Sequence, residues 1–247
     1  MVMPWEQLVQ KRICFGHQSV GANLMNALSI LSGRRLNIVE SSDPEVFRRP
    51  VFSHFRIGQN RDPFSKCEAF ARLISAEIGD QVDIAFFKLC YVDITTHTDI
   101  DGLFKVYQRI MALLSKQYPQ VAFLHVTVPL TRVRRGVLGW LCEKTGHVDR
   151  ECEDQVSRHA YNQMLRGAYG RCGRLFDLAD VESTYPDGKA ACFYYHGGTY
   201  PNLVSEYTDD GGHLNTYAAE CAARRLDRKS TRLNSSHIPL SRMPSSA

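Results

Sequence analysis

Residues 83–91 read DIAFFKLCY, an apolar run interrupted only by one lysine after its leading aspartate. A second run of this kind, VAFLHVTV, occupies residues 121–128. Strands with one solvent-exposed face alternate apolar and polar residues, whereas a continuous apolar run is typical of a parallel strand buried on both faces. The two runs therefore predict the centre of a parallel sheet that is covered by helices on both sides.

Strand-like and helix-like segments alternate outward from these two runs, with no internal repeat. Further strands are predicted at 12–15, 36–40 and 174–179, and helices at 21–31, 65–78 (with a Ser65/Glu68 capping box), 103–114, 154–168 and 215–226. This alternation predicts an α/β fold: three α/β/α layers around a doubly wound parallel sheet of about five strands in flavodoxin-like order. In such folds, functional residues follow the carboxyl ends of the strands.

Residues 1–226 are predicted to form one domain, whereas residues 227–247 differ from it in composition. Their sequence, DRKSTRLNSSHIPLSRMPSSA, is polar, and residues 227–237 back-translate to a sequencing-library adapter. We interpret this tail as non-native; a natural disordered tail is the alternative. Without it the formal net charge of +4 falls to +1, so the charge gives no reason to expect a nucleic-acid or membrane partner.

The composition fits one globular domain, because 44% of the 247 residues are hydrophobic. No apolar stretch approaches the roughly 20 residues of a membrane span, and the N-terminus lacks the apolar run of a secretory signal, so a cytoplasmic location is expected. Eight cysteines are scattered without a CxxC pair. We expect free thiols and neither a metal nor another cofactor.

The first candidate site residue is Ser19, within the segment GHQSVG at residues 16–21. A tight turn between the first strand and the first helix would expose its hydroxyl and place its N–H at a helix N-terminus. A nucleophilic serine needs both features. The alternative is an ordinary serine that caps the helix.

The second candidate segment, DDGGHLN at residues 209–215, precedes the last predicted helix. A general-base histidine must be held in one tautomer by a carboxylate. Asp210, three residues before His213 across two glycines, can fold back onto the imidazole ring, and Asp209 is a possible substitute. The alternative is a glycine-rich turn with a surface histidine.

Together, a serine after the first strand and an Asp-x-x-His before the last helix resemble the SGNH/GDSL hydrolase family, over most of residues 13–226. The resemblance implies an esterase with Ser19 as nucleophile, His213 as base and Asp210 as orienting carboxylate. It also implies that Gly58 supplies a second backbone donor to the oxyanion.

The sequence departs from the family at the Gly-x-Asn-Asp block, which here reads Cys90-Tyr91-Val92-Asp93. Val92 offers no donor where the family has an amide, and Gln18 fills the acidic position beside the nucleophile. The nearest replacement amides are Asn60 and Asn23. We group Asn60 and Asp93 with the oxyanion and substrate-binding residues, and expect Asp93 to form hydrogen bonds at the strand end.

The expected substrate is a small acyl ester, with an acetyl group on carbohydrate as the first choice. Aromatic residues in 185–207 could stack on sugars, and packing against the domain is the alternative role for them. An O-acyltransferase with the same triad and a non-catalytic carbohydrate-binding protein are alternatives. A metal-dependent hydrolase using His17, Asp210 and His213 is a further alternative. Residues 131–153 suit either a substrate loop or a surface excursion. The sequence leaves the oligomeric state open.

Overall fold

The computed structural model describes residues 8–133 and 149–233, with side chains described as far as residue 228. The strands are β1 (Arg12–His17), β2 (Ile38–Glu40), β3 (Val51–Arg56), β4 (Ile84–Phe87), β5 (Ala122–Phe123), β6 (His125–Val126), β7 (Leu175–Phe176), β8 (Cys192–Tyr195) and β9 (Gly198–Pro201). The helices are α1 (Val20–Leu31), α2 (Pro63–Leu73), α3 (Ile100–Gln117), α4 (Arg150–Tyr169), α5 (Leu178–Glu182) and α6 (Thr216–Leu233). Most of the predicted substrate loop, at 134–148, lies outside the described residues.

The main sheet is parallel and has the strand order β2-β3-β1-β4-β5. After β5 the chain passes through Leu124 into β6, which pairs in parallel with β7. Taken as one continuous strand, β5 and β6 extend the series to β3-β1-β4-β5/β6-β7. This is the flavodoxin-like order, with β2 added at the edge, so the predicted α/β fold is confirmed.

Two hydrophobic clusters cover the two faces of the sheet. In β4, Phe86 points into a cluster with α1 and α6, while Ala85 and Phe87 point into a second cluster with α2, α3 and α4. Since successive strand residues point to opposite faces, a strand between two helical layers is expected to be apolar at most positions. This explains the continuous apolar run on which the prediction depended.

Strand β3 lies in a segment that was expected to be a loop. Residues 51–56 read VFSHFR, in which a serine and a histidine interrupt the apolar pattern. Both side chains have hydrogen-bond partners on other segments of the chain: the Ser53 hydroxyl donates to the carbonyl of Ser41, and a ring nitrogen of His54 lies beside one of His17. Polar residues that are hydrogen-bonded in this way can occupy a buried strand.

Three predicted boundaries also differ from the structure. The capping residue of α2 is Asp62, whose carboxylate accepts from the N–H of Ser65 at 3.0 Å, and Pro63 follows at the first helical position. The predicted strand at 174–179 contains only β7, because Asp177 caps α5. Helix α6 does not end at residue 226 but continues to Leu233; the adapter origin of residues 227–247 stays a prediction.

Two other features concern the described residues as a whole. No helix in the ranges 8–133 and 149–233 is long and apolar enough to span a membrane. The seven cysteines in these ranges are free, and four of them are buried.

Candidate active site

Ser19 occupies the tight turn between β1 and α1. Its backbone has φ 55° and ψ −116°, a conformation that is rare for a residue with a side chain. Its hydroxyl makes no capping hydrogen bond to the helix, so the alternative of a capping serine does not hold. Backbone strain of this kind is concentrated at functional sites, and here it leaves the hydroxyl free to contact a group outside the helix.

That group is His213, which lies 194 residues later in the chain. The Ser19 Oγ is 2.5 Å from the Nε2 of His213. The Nδ1 of the same ring is 2.6 Å from the Oδ2 of Asp210. The structure thus brings Ser19, His213 and Asp210 into one hydrogen-bonded line, and the ring partner is Asp210 rather than Asp209.

A compact turn holds the Asp210 carboxylate in place. Its Oδ1 accepts from the N–H groups of His213, at 2.8 Å, and Gly212, at 2.9 Å. These bonds, together with the one from the His213 ring, hold the pKa of Asp210 well below its usual range. The chain can turn this tightly because Gly211 adopts a φ of +96°. Asp210 is therefore an anion that can orient the ring and stabilise a positive charge on it.

Tyr91 is a neighbour of the site that the sequence analysis did not single out. Its ring meets the His213 ring edge-on, with centroids 6.1 Å apart. Burial and the nearby Asp210 charge raise the pKa of Tyr91, which favours the neutral phenol. Its position at the end of the apolar run 83–91 was the available signal, because strand ends in this fold carry the site.

Gly58 follows β3, and hydrogen bonds from Gln18 connect its segment to the turn that contains Ser19. The Gln18 side-chain amide donates to the carbonyls of Ile57, at 3.0 Å, and Gly58, at 2.9 Å. Gly58 has φ +55°, and a Cβ there would lie 2.7 Å from backbone atoms of Lys66. Only glycine fits at this position. Gln18, in the family's acidic position, thus ties the nucleophile turn to the segment that follows β3.

Comparison with known proteins adds evidence on the fold. No family model matches the chain, and no curated protein matches its sequence. A solved structure from Streptococcus pneumonia, provisionally described as a platelet activating factor, matches with a TM-score of 0.54 at 14% identity, covering 91% of this chain and 90% of its own. Another, provisionally described as a lipolytic protein of the G-D-S-L family from Desulfitobacterium hafniense DCB-2, matches with a TM-score of 0.46 at 8% identity, covering 88% and 97%.

The match with the Streptococcus structure supports an α/β fold with a five-stranded parallel sheet and flanking helices. At such identities the likeness concerns the fold alone, because one fold supports many activities.

At the position of the SGNH/GDSL amide, Val92 lies in the wall of a cleft beside the site. The neighbouring Asn60 is held by a lysine: the Lys66 Nζ donates to the Oδ1 of Asn60 at 3.0 Å. Since the oxygen of this amide is engaged, its NH₂ group is directed away from Lys66 and is free to donate. The other candidate amide, on Asn23 in α1, has a buried oxygen without a hydrogen-bond partner.

Asp93 does not fit the predicted contact with substrate. Its carboxylate is fully buried and forms an ion pair with Lys66 at 2.5 Å. The same carboxylate accepts from the N–H groups of Arg61, at 2.9 Å, and Cys90, at 2.6 Å. Both oxygens are occupied, so grouping Asp93 with the substrate-binding residues was wrong. Asp93 instead accepts hydrogen bonds at the end of the strand, which agrees with the other expectation for this residue.

The His17 ring is hydrogen-bonded to another histidine and not to Ser19, His213 or Asp210. Its Nε2 lies 3.0 Å from the Nδ1 of His54, and burial lowers the pKa of His17 to about 3, so that the ring is neutral. Within the part of the chain that the structure describes, no group of three His, Cys, Asp or Glu residues could hold a metal ion. The metal-dependent alternative therefore has no set of ligands among these residues.

A cleft of about 700 Å³ opens beside the site. Its walls include Tyr91, Asp210, Gly212 and three arginines, Arg61, Arg132 and Arg158. The aromatic residues predicted for sugar stacking lie elsewhere: Phe193 and Tyr195 are buried in a small cluster with Val133 and Cys152, and no aromatic residue of 185–207 is among the described residues that line the cleft.

Proposed function

We propose that this protein is a serine esterase that hydrolyses small acyl esters. The observation that carries the proposal is the continuous line from the Ser19 hydroxyl through the His213 ring to the Asp210 carboxylate, with contacts of 2.5 and 2.6 Å. A serine, a histidine and an acid in this order are the components that activate a hydroxyl for attack on a carbonyl. The resemblance to the SGNH/GDSL hydrolases is consistent with this chemistry.

In the proposed reaction, Ser19 Oγ attacks the ester carbonyl while His213 Nε2 takes its proton. The N–H groups of Ser19 and Gly58 and the side-chain amide of Asn60 donate hydrogen bonds to the oxyanion. The tetrahedral intermediate collapses, the C–O bond to the alcohol breaks, and His213 returns the proton to the leaving oxygen. Water then attacks the acyl-enzyme by the same route and releases the acid.

The acyl group is proposed to be small, with acetyl as the first choice, and the alcohol to be a carbohydrate hydroxyl. None of the aromatic residues of 185–207 is among the described residues that line the cleft. Stacking on a sugar ring therefore no longer supports the choice of a carbohydrate, and esters of other alcohols should be tested beside it. If a second hydroxyl compound replaces water in the final step, the same groups perform acyl transfer.

Steady-state kinetics with p-nitrophenyl acetate test the proposal. Ser19→Ala and His213→Ala should each lower kcat/KM by about 10⁴-fold or more, because triad members act as a unit. The matched controls are Ser29→Ala, on α1, and His97→Ala, at an exposed position, which should retain wild-type activity. Folded Ser19→Ala protein with unchanged hydrolysis would refute the proposal.

A non-catalytic carbohydrate-binding protein is the second candidate, favoured by Val92 at the position of the family's amide. It requires binding of acetylated sugars without turnover by the wild-type protein. Hydrolysis that His213→Ala abolishes would exclude it. Turnover that increases when an acceptor alcohol is added, with the acyl group found on that alcohol, would identify a transferase instead.

A further inference from the structure

The cleft beside the site has the position expected for the alcohol portion of an ester. Asp210 and Gly212, which belong to the turn that carries His213, form one of its walls together with Tyr91. In the proposed mechanism His213 delivers a proton to the leaving oxygen, so the space on its side receives the group attached to that oxygen.

Arg158 in this cleft is nearly buried and only partly used by the protein. Its Nε donates to the carbonyl of Tyr91 at 2.8 Å, and its Nη1 donates to the Thr131 hydroxyl, at 2.8 Å, and the Gln155 side-chain oxygen, at 2.9 Å. The nearest acidic oxygen to its Nη2 is that of Asp154, 3.9 Å away and beyond hydrogen-bond distance. The guanidinium is therefore fixed along one edge, and its remaining donors have no acceptor among the described residues.

Arg61 and Arg132 are the other two arginines of the cleft. Within residues 8–133 and 149–233, neither side chain has a carboxylate within 4.0 Å or an acceptor within hydrogen-bond distance. The three carboxylates among the described residues that line the cleft, in contrast, have partners within the protein. The Asp210 carboxylate serves His213, one Asp154 oxygen accepts from the N–H of Thr96 at 2.9 Å, and Glu151 has interactions of its own. The side-chain donors without an acceptor among the described residues are therefore those of Arg61, Arg132 and the Nη2 of Arg158, while Asp154 and Glu151 act on the charge of Arg158.

We propose that the cleft binds a negatively charged group, a carboxylate or a phosphate, on the alcohol portion of the ester. The inference deepens the proposed function, on which its assignment to an ester alcohol rests. Guanidinium groups bind these anions through paired N–H donors. Arg158, fixed in place, provides a preorganised donor, and Arg61 and Arg132 supply two further guanidinium groups from the walls.

Matched acetyl esters test the charge preference. The substrates are 4-acetoxybenzoate and 4-acetoxyphenyl phosphate, each compared with the neutral methyl 4-acetoxybenzoate. Comparing kcat/KM ratios between protein variants cancels the intrinsic reactivity of each ester. The anionic-to-neutral ratio should fall about tenfold or more in Arg61→Gln/Arg132→Gln, and added salt should lower it in the wild type. Arg109→Gln, at an exposed position on α3, should leave it unchanged. The two anionic esters show whether carboxylate or phosphate is preferred.

A binding measurement separates this inference from the esterase proposal. Calorimetry on Ser19→Ala protein compares 4-hydroxybenzoate and 4-hydroxyphenyl phosphate with methyl 4-hydroxybenzoate, none of which requires turnover. Tighter binding of an anion, lost in the variant that also carries Arg61→Gln/Arg132→Gln, supports the anion subsite even if no ester is hydrolysed. Equal affinity for the charged and neutral compounds, or affinity unaffected by the two substitutions, overturns the subsite even if the esterase proposal holds.

Discussion

Replacing Lys66 by methionine tests the buried ion pair beneath the site. Neither the Lys66 ammonium nor the Asp93 carboxylate is exposed, and the two are 2.5 Å apart. Methionine retains most of the apolar stem but leaves Asp93 without its counter-ion. Removing one partner of a buried pair costs about 3–5 kcal/mol, a large part of the roughly 5–15 kcal/mol that stabilises an ordinary domain. At about 2–4 °C per kcal/mol for a chain of this size, Tm should fall by roughly 6–20 °C.

Urea and thermal unfolding measure this loss against two references. Arg48→Met removes the exposed pair with Glu45, whose side chains are 72% and 61% exposed, and should cost less than about 1 kcal/mol. The double variant Lys66→Met/Asp93→Asn removes both buried charges and should recover about 1–3 kcal/mol of the sum of the two single losses. The reasoning is refuted if Lys66→Met costs no more than Arg48→Met, or if the two losses at the buried pair are additive.

Three further predictions concern single positions. Gly58→Ala should destabilise the fold by about 1–2 kcal/mol or more, since a Cβ at φ +55° would meet Lys66; urea unfolding measures this, and Gly167→Ala, in open space on α4, should be neutral or stabilising. Asn60→Ala should lower kcat by about 10²–10³-fold with p-nitrophenyl acetate if its amide serves the oxyanion, and an unchanged kcat removes it from the mechanism. Burial raises the pKa of Glu182 from 4.5 to about 8, so the folded state retains a proton that the unfolded chain loses. Stability should therefore fall as the pH rises from about 4.5 to 8, and urea titrations should show a flatter profile for Glu182→Gln; equal slopes contradict this.

The layered fold was predictable because its signal is local. Residues 83–91 and 121–128 are mostly apolar on both faces, and a strand between two helical layers favours that pattern. By contrast, β3 was missed because Ser53 and His54 break its apolar run, and their hydrogen-bond partners come from other parts of the chain. The bounds of α2 shifted because Asp62, not Ser65, accepts the capping bond, and both residues are good N-caps.

The candidate site was predictable only in part. The spacing of Asp210 and His213 allowed a carboxylate to fold back onto the ring, and the geometry of the turn agrees with that expectation. The position of Asp93 could not be read from the sequence, because its burial depends on Lys66, 27 residues away. Tyr91 was marked only by its position at the end of the apolar run 83–91, and the arginines of the cleft come together only through the tertiary fold.

The central claim is that Ser19 is the nucleophile, and covalent trapping tests it most directly. Wild-type protein, Ser19→Ala and Ser29→Ala are treated with a fluorophosphonate, and the modified residue is located by peptide mass mapping. The account predicts one phosphonyl group on Ser19 in the wild type and in Ser29→Ala, and none on Ser19→Ala protein that has the same Tm as the wild type. A label on another residue, equal labelling of the Ser19→Ala protein, or no label on folded wild-type protein would contradict it.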